Sequence, residues 1–288
     1  MISLHQLQTF LAVVRAGSVR GASDALVVSQ PAVSAALAGL QREVGAPLLE
    51  RNGRGVRVTS AGEQLAAYGR RVFALLDEML VETRAAAGAH AAVVRLAVVT
   101  TAAEQLVPSL LAGFDGRADV QLHVANRDGV WDLVAHGEAE LALAGRPPDA
   151  RFRSLAVRPN ELVVVAGAET ARSAALAEAT WLLREPGSGT RAATETLLEA
   201  LGITPRSITI GSNDAIRACV RAGLGVSLLS RGMVARDLAE AALTELPTPQ
   251  TPLRRDWHLV ALSARPLTAA SNRFLEHVLA DGTFQRGE

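Results

Sequence analysis

The stretch SQPAVSAALAGLQREVGAPLLERNGRGVRVTSAG, residues 29–62, decides the fold of the N-terminal region. Ser29 can cap a helix, and Pro31 suits its first turn, where a residue without an N–H loses no hydrogen bond. Apolar side chains then recur at helical spacing as far as Gly45. Two short β-like pieces follow and flank a turn at Asn52, so the stretch predicts a helix and then a hairpin.

Two shorter helices are predicted before this stretch. Ser3 begins a capping box, and apolar residues recur after it at spacings of three and four until Gly17 ends the pattern. Ser18 can cap a second helix. Three helices and a hairpin form a winged helix-turn-helix, whose last helix enters the major groove of DNA. Many three-helix bundles never bind DNA, so the pattern alone leaves DNA binding and plain packing open.

The residues that lead the third helix and those at the hairpin have the chemistry of DNA contacts. Glutamine can pair with an adenine edge, serine is a short donor or acceptor, and proline and alanine can touch a thymine methyl group. Arginines near the hairpin tip can hold phosphate or enter a minor groove. The predicted DNA contacts are Gln30, Pro31, Ala32, Ser34, Arg51 and Arg54.

Charge and cysteine content narrow the class of protein. The formal net charge is zero, but residues 1–71 hold eight arginines against four acidic residues. The basic surplus therefore lies in the part predicted to meet phosphate. The single cysteine, Cys219, excludes disulfides within the chain and fits a reducing cytosol. The N-terminus lacks a secretory pattern and no apolar run is long enough for a bilayer, so we expect a cytoplasmic protein without a membrane partner.

A long helix is predicted after the hairpin. Residues 60–63 form a second capping box, and an apolar stripe at near-heptad spacing continues to about Ala87. A helix of this length extends about 40 Å and is too one-sided to be stable alone, so we expect a partner helix from a second subunit. The stripe consists of Leu65, Tyr68, Val72, Leu75, Leu76, Met79 and Leu80.

The rest of the chain changes to short apolar runs that alternate with helical segments. This order predicts βαβ units and a mostly parallel sheet. The expected fold class is therefore α/β with an all-α front. The predicted strands are 93–99, 120–124, 141–144, 162–166, 181–183, 208–210, 226–229 and 259–262.

Residues 10–26, FLAVVRAGSVRGASDAL, together with residues 29–62 resemble the LysR-type transcriptional regulators. The resemblance implies DNA contacts at the six positions named above. It also implies an effector domain of two α/β lobes, similar to periplasmic solute-binding proteins, with a ligand cleft between the lobes. Ala35 departs from the family, which often has a basic residue there. The implied divisions are 1–59 for the winged helix-turn-helix, 60–88 for the linker and dimerisation helix, and 92–288 for the effector domain, with lobe I at about 92–161 and 265–288 and lobe II at about 162–264.

Strand-to-helix turns facing such a cleft would bind an anion through free N–H groups and the helix dipole. A Gly-rich turn is by itself more often plain turn chemistry, and Arg146 and Arg191 fit surface or interlobe salt bridges equally well. Glu104 would repel an anion if it faced the cleft. The predicted effector contacts are Thr100, Thr101, Asn126, Arg127, Arg146, Ser188, Gly189, Thr190, Arg191 and Asn213.

Three segments further resemble the subgroup that controls Calvin-cycle carbon-fixation operons: 126–127, 145–148 and 184–191. The effectors implied are phosphorylated sugars or nucleotide cofactors. The implied partners are double-stranded DNA, a small-molecule effector of unknown identity, RNA polymerase and further copies of the chain, as a homodimer or homotetramer.

Two other classes are weighed against a regulator. A solute-binding transport protein does not fit the missing signal pattern or the helical front. An enzyme would need a cofactor fingerprint or a catalytic constellation, and Ser188 lies in Gly-Ser-Gly without the usual nucleophile elbow. The six histidines have no metal-ligand spacing. We therefore expect no catalytic residues, no metal site and no cofactor.

Overall fold

The computed structural model describes residues 1–52, 55–86, 92–114, 118–171 and 175–287. The chain forms two compact units. The first is Met1–Ala87 with His136–Glu138, and the second is Gly88–Ala135 with Ala139–Glu288.

The first unit contains three short helices, a hairpin and a long helix. They are α1 (Leu4–Ala16), α2 (Val19–Leu26), α3 (Gln30–Val44), β1 (Leu49–Asn52), β2 (Gly55–Val58) and α4 (Ser60–Ala86). The predicted caps at Ser3, Ser18 and Ser29 are confirmed, as are the helix ends at Gly17 and Gly45. A shared apolar core is built on Phe10, Val13, Ala22, Val33, Leu37, Leu40 and Leu48.

The start of α4 differs from the prediction by one residue. Thr59 precedes the helix, and its Oγ1 accepts the N–H of Gly62 at 3.0 Å and donates to the carbonyl of Pro47 at 2.8 Å. Glu63 therefore does not complete a capping box with Ser60. The reason is not local, because Thr59 is held by the segment that leads into the hairpin.

Lobe I of the second unit is a six-stranded sheet covered by helices. Its elements are β3 (Ala92–Val99), α5 (Thr100–Gln105), α6 (Val107–Ala112), β4 (Ala118–Ala125), α7 (Arg127–Ala135), β5 (Leu141–Ala144) and β6 (Phe152–Arg158). Two strands and a helix from the end of the chain also belong to this lobe. These are β13 (Trp257–Leu262), α12 (Ala269–Ala280) and β14 (Gln285–Arg286). The order of strands in the sheet is β14-β6-β13-β5-β3-β4.

Lobe II is formed by the intervening residues. Its elements are β7 (Glu161–Gly167), α8 (Ala168–Ala171), β8 (Trp181–Leu183), α9 (Gly189–Leu201), β9 (Ser207–Thr209), α10 (Asn213–Arg221), β10 (Val226–Ser230), α11 (Arg231–Ala239), β11 (Leu243–Glu245) and β12 (Leu253–Arg254). The strand order is β11-β7-β10-β8-β9, and β12 also pairs with β7. The two-lobed fold is as predicted.

Two features of the predicted sheets are wrong. The sheets are mixed: β3 runs parallel to β4 and β5, but β7 is antiparallel to β10 and β13 is antiparallel to both β5 and β6. The predicted lobe boundary at 264/265 is also wrong, because β13 belongs to lobe I. The chain returns to lobe I between β12 and β13. The position of this return depends on the pairing of β13 with β5 and β6, which are distant in sequence.

Candidate functional site

The third helix of the first unit presents a polar face to solvent. Val33, Leu37 and Leu40 are buried, whereas the predicted DNA contacts Gln30, Pro31, Ala32 and Ser34 are all exposed. Ser29 fixes the start of the helix, since its Oγ accepts the N–H of Ala32 at 3.3 Å. The local sequence thus places short polar and apolar groups at the N-terminal end of a helix whose other face is held in the core.

Exposed arginines lie on several elements of the first unit. Arg51 lies on β1 of the hairpin and is exposed, as are Arg20 on α2 and Arg42 on α3. Arg57 on β2 pairs with Glu50 at 2.7 Å. Arg54, the other predicted hairpin contact, lies outside the described residues. The basic surplus of the first unit therefore stands at its surface, where it can meet phosphate.

A cavity opens between the two lobes of the second unit. The empty space between its walls is about 470 Å³, including the open space at its mouth. The walls come from strand ends in both lobes and from the two crossings between the lobes. One crossing joins β6 to β7, and the other joins β12 to β13. The lining residues are Val99, Thr100, Thr101, Asn126, Arg127, Gly145, Asn160, Leu162, Arg184, Ser188, Gly189, Thr190, Arg255 and Trp257.

Lobe I contributes the turns that follow its parallel strands. Thr100 and Thr101 come directly after β3, and Asn126 and Arg127 stand where β4 leads into α7. The Oδ1 of Asn126 accepts an N–H from the first turn of α7 at 2.9 Å, and its Nδ2 donates to the carbonyl of Pro186 in lobe II at 3.4 Å. Asn126 therefore both caps a helix and contacts the opposite lobe.

Lobe II contributes the N-terminal turn of α9. Ser188 is buried, and its Oγ accepts the N–H of Arg191 at 3.5 Å, so it caps the helix. The N–H groups of Gly189 and Thr190 lie in the first turn, where an α-helix supplies no partner for them. Because these residues line the cavity, the partial positive charge of the helix end forms part of its wall.

Arg184 is a buried cation with its own counter-ion. Its side chain is 3% exposed and donates to both carboxylate oxygens of Glu185, at 2.8 and 2.9 Å. Burial raises the pKa of Glu185, but the hydrogen bonds and charge of Arg184 outweigh it and hold this pKa below its ordinary value. Arg184 also reaches Thr100 of lobe I at 3.5 Å.

Arg255 is a half-buried cation for which the described residues supply no counter-ion. Within the described part of the chain, no carboxylate pairs with its guanidinium and no side chain accepts a hydrogen bond from it. Burial lowers the pKa of Arg255, and the positive charge of Arg127 lowers it further. A group in this position is stabilised by an anion, since an uncompensated charge away from water is costly.

Three of the predicted effector contacts do not line the cavity. The Nε of Arg191 donates to Glu195 at 2.8 Å, which is the salt-bridge alternative. Asn213 is 1% exposed, and its Nδ2 donates to Thr101 at 2.9 Å, so it joins the lobes from behind the wall. Arg146 is exposed and follows the lining residue Gly145. As effector contacts these three remain predictions, whereas the other seven predicted residues meet at one cavity.

Glu104 is not among the lining residues of this cavity. Burial raises its pKa, as does the nearby carboxylate of Asp214, and the Nδ2 of Asn213 lies 3.4 Å from its Oε2. The repulsion of an anion expected for a cleft-facing Glu104 therefore does not apply to the wall itself.

The sequence prediction missed Asn160 and Arg255, which lie on the crossings, and Trp257 at the start of β13. A local signal for Arg255 was present. Arg254 and Arg255 are followed by a single acidic residue, Asp256. Arg254 forms a salt bridge with Asp256 at 2.9 Å. The sequence therefore offers the second arginine no acidic neighbour of its own.

Neither a metal-binding cluster nor a single membrane-spanning helix is found in the described ranges. No group of three or more His, Cys, Asp or Glu side chains is arranged to hold a metal ion there. No single helix in those ranges is both long and apolar enough to cross a bilayer; the bent pair α2 and α3 passes on length and composition alone.

Both parts of the chain match known families. Residues 4–63 match the bacterial regulatory helix-turn-helix protein family of the lysR type, and residues 87–282 match the LysR substrate binding domain. The HTH-type transcriptional regulator CbbR of Rhodospirillum rubrum is 34% identical over 285 residues, which cover 95% of each chain. A RuBisCO operon transcriptional regulator of Allochromatium vinosum is 34% identical over 292 residues, 97% of this chain and 96% of that protein.

Solved structures agree with the fold. The regulatory domain of CcmR from Synechocystis PCC6803, solved in complex with 2-PG, is 28% identical, with a TM-score of 0.58 over 66% of this chain and 96% of that chain. Full-length CbnR complexed with its target DNA is 22% identical, with a TM-score of 0.67 over 96% of this chain and 99% of that chain, and shows the fold alone.

The chain therefore belongs to the LysR family of transcriptional regulators, as the residues at its N-terminus predicted. Its relatives support the carbon-fixation operon subgroup. It is a DNA-binding regulator with an effector-binding domain, and its relatives are regulators rather than enzymes.

Proposed function

We propose that the exposed face of α3 reads base edges in the major groove, through Gln30, Pro31, Ala32 and Ser34. The exposure of this face, on a helix whose opposite side is buried, supports the proposal. Arg51 and Arg54 of the hairpin hold the DNA backbone or a minor groove. Residues 1–59 act as the DNA-binding domain, 60–88 as the dimerisation helix and 92–288 as the effector domain.

The effector that we propose is a small anion, bound in the cavity between the lobes. The observation that carries this is the guanidinium of Arg255, which has no carboxylate partner among the described residues and lies beside Arg127 and the N-terminal turn of α9. Thr100, Thr101, Asn126, Ser188, Gly189 and Thr190 supply hydroxyl, amide and backbone donors. The bound 2-PG of the CcmR domain favours a phosphorylated compound, and so does the resemblance to carbon-fixation regulators.

Homodimers form through α4, and pairs of dimers give a homotetramer. Tyr68, Val72, Leu75 and Met79 are exposed along one helix, and a row of exposed apolar groups favours pairing with a second copy. The edge strands β4 and β9 also expose Leu122, Val124 and Ile208, which suits contacts between effector domains. Leu75→Glu should halve the molar mass measured by light scattering, whereas Gln64→Glu on the same helix should not change it.

Effector binding changes the arrangement of the dimers on an inverted repeat, and with it DNA bending and contacts to RNA polymerase. This requires the effector to bind the two arrangements with different affinities. A regulator of this kind acts where the chromosome lies, so we propose a cytoplasmic location.

DNase I footprinting of the regions upstream of the protein's own and neighbouring genes tests DNA reading. We expect a protected inverted repeat with the native chain, and weaker protection with Gln30→Ala. A thermal-shift screen of 2-PG, phosphorylated sugars, nucleotides and organic acids tests the effector class, because a ligand of the native fold raises the melting temperature. No protected site would contradict DNA reading, and stabilisation by neutral compounds alone would contradict the anionic effector.

A further inference from the structure

The two crossings between the lobes are tied together at the point where Arg255 stands. The N–H of Arg255 donates to the carbonyl of Asn160 at 2.8 Å, and the Nδ2 of Asn160 donates to the carbonyl of Arg255 at 3.0 Å. Ser230, buried at the end of β10, donates to the Oδ1 of Asn160 at 2.7 Å. The backbone of Arg255 is therefore fixed at the hinge between the lobes.

The guanidinium of Arg255 reaches from this hinge to both lobes. A methyl group built on Gly189, at the start of α9 in lobe II, would lie 2.8 Å from Nη2 of Arg255 and 3.6 Å from Cδ of Arg127. One built on Gly145, in lobe I, would lie 3.6 Å from the same Nη2. Two arginines and a helix N-terminus thus converge at Gly189, where the missing side chain leaves room for them.

Arg184 and Arg255 differ in how their charge is balanced. Arg184 has a bidentate partner in Glu185. Arg127 has an exposed partner in Asp128 at 3.0 Å, and screening weakens that pair. Arg255 has no such partner within the described ranges and faces Arg127. The residues that the structure describes therefore leave one positive charge at the hinge without an opposite charge.

We propose that Arg255 is an effector-binding residue that makes the lobe hinge sensitive to charge, an inference that rests on the proposed anionic effector. Without an anion, Arg127 and Arg255 repel each other across the cavity and disfavour close approach of the lobes. An anion bound between them and the first turn of α9 attracts groups of lobe I, lobe II and the hinge at once. The bound anion therefore stabilises the closed arrangement.

The test compares Arg255→Gln with Arg254→Gln in the full chain. Arg254 is the matched control, because it is the neighbouring arginine, exposed and already paired with Asp256. Melting temperatures are measured in chloride, and in inorganic phosphate or 2-PG at the same ionic strength. For the native chain and Arg254→Gln, an anion at ten times its Kd should raise the melting temperature of the second unit by about 3 °C.

For Arg255→Gln we expect two effects of opposite sign. In chloride the melting temperature should equal or exceed that of the native chain, since the variant removes a half-buried charge that has no partner among the described residues. The stabilisation by phosphate or 2-PG should be lost, with an affinity at least about tenfold weaker. A residue of purely structural importance would instead lower the melting temperature in chloride.

Two further results separate the inference from the proposed function. Arg255→Lys keeps the charge and should retain part of the stabilisation by 2-PG, which guards against an unfolded glutamine variant. Native affinity for 2-PG in Arg255→Gln would overturn the role of Arg255 while leaving an anionic effector in place. If neither phosphate nor 2-PG nor any other anion stabilises the native chain, the inference and the anionic effector both fail, and DNA reading is unaffected.

Discussion

The helix α3 and the cavity between the lobes differ in how far their polar side chains are exposed to water. Gln30 and Ser34 stand on the open face of a helix and have no part in the core of the first unit. Arg184 is buried and Arg255 is half-buried in the wall of the cavity, and each is stabilised by a neighbouring opposite charge or by a ligand. Changes on the helix face should therefore alter binding without altering stability, whereas changes around the cavity should alter both.

The largest effect is expected on the helix face. Ser34→Asp places a negative charge where the phosphates of DNA approach, and should weaken specific DNA binding at least about hundredfold. Because Ser34 is exposed, the melting temperature should stay the same. Gel-shift titration and calorimetry measure the two quantities, with Gln64→Glu as a charge-matched control outside α3. A parallel loss of stability would break the distinction between an open face and a core.

The next effect tests whether the two units keep their stability separately. A Cβ atom on Gly62 would collide with the carbonyl oxygen of Leu48, and one on Gly225 with that of Thr180. Gly62→Ala should destabilise the first unit, and Gly225→Ala the second, each by about 2–3 kcal/mol. Scanning calorimetry should show one transition moving in each variant. If both transitions move together in either variant, the units do not unfold independently.

A buried carboxylate far from the cavity should matter for stability alone. Glu140 accepts hydrogen bonds from the N–H and hydroxyl of Thr268 and from the hydroxyl of Ser271, at the start of α12. Glu140→Gln removes the charge that these donors and the helix dipole favour, and should cost about 2 kcal/mol. Urea unfolding checks this, with the exposed Glu138→Gln as control. Unchanged affinity for 2-PG is expected, and a changed one would mean that lobe stability and ligand binding cannot be separated.

The smallest effects come from two strained turns, one in each unit. Val27 lies between α2 and α3, and Ala241 follows α11. Both have φ of +55°, a conformation that is unfavourable for residues other than Gly, Asn and Asp. Val27 is 90% exposed, so its replacement loses little burial. Val27→Asn and Ala241→Asn should each stabilise their own unit by about 0.5–1 kcal/mol in denaturant unfolding. A destabilised Val27→Asn variant that still folds would indicate that this valine is needed in the helix-turn-helix.

The same contrast explains what the sequence could predict. In the first unit, the helix boundaries depend on capping groups within a few residues, such as Ser3, Gly17 and Ser29, so the pattern alone located them. The start of α4 was misplaced because Thr59 is held by Pro47 across the hairpin. Local chemistry is therefore sufficient where the structure itself is local.

In the second unit the sheets depend on pairing between residues that are distant in sequence, so local patterns predicted them less completely. The strands β6, β11, β12 and β14 were missed, since arginine interrupts the apolar pattern of β6 and the others have only two or three residues. The pairing of β13 with β5 and β6 moved the lobe boundary, and with it placed Arg255 on a crossing. Half of the cavity residues could be named from turn chemistry, but Arg255 could not.

The coupling between effector binding and DNA binding tests the proposed mechanism most directly. The affinity of the full chain for its upstream DNA is measured by fluorescence anisotropy at increasing 2-PG, and the affinity for 2-PG is measured with and without that DNA. We predict that each ligand changes the affinity for the other by the same factor, about fivefold or more, and that Arg255→Gln binds DNA without this coupling. DNA binding that is identical at every concentration of 2-PG and of the other anionic metabolites tested would contradict the account.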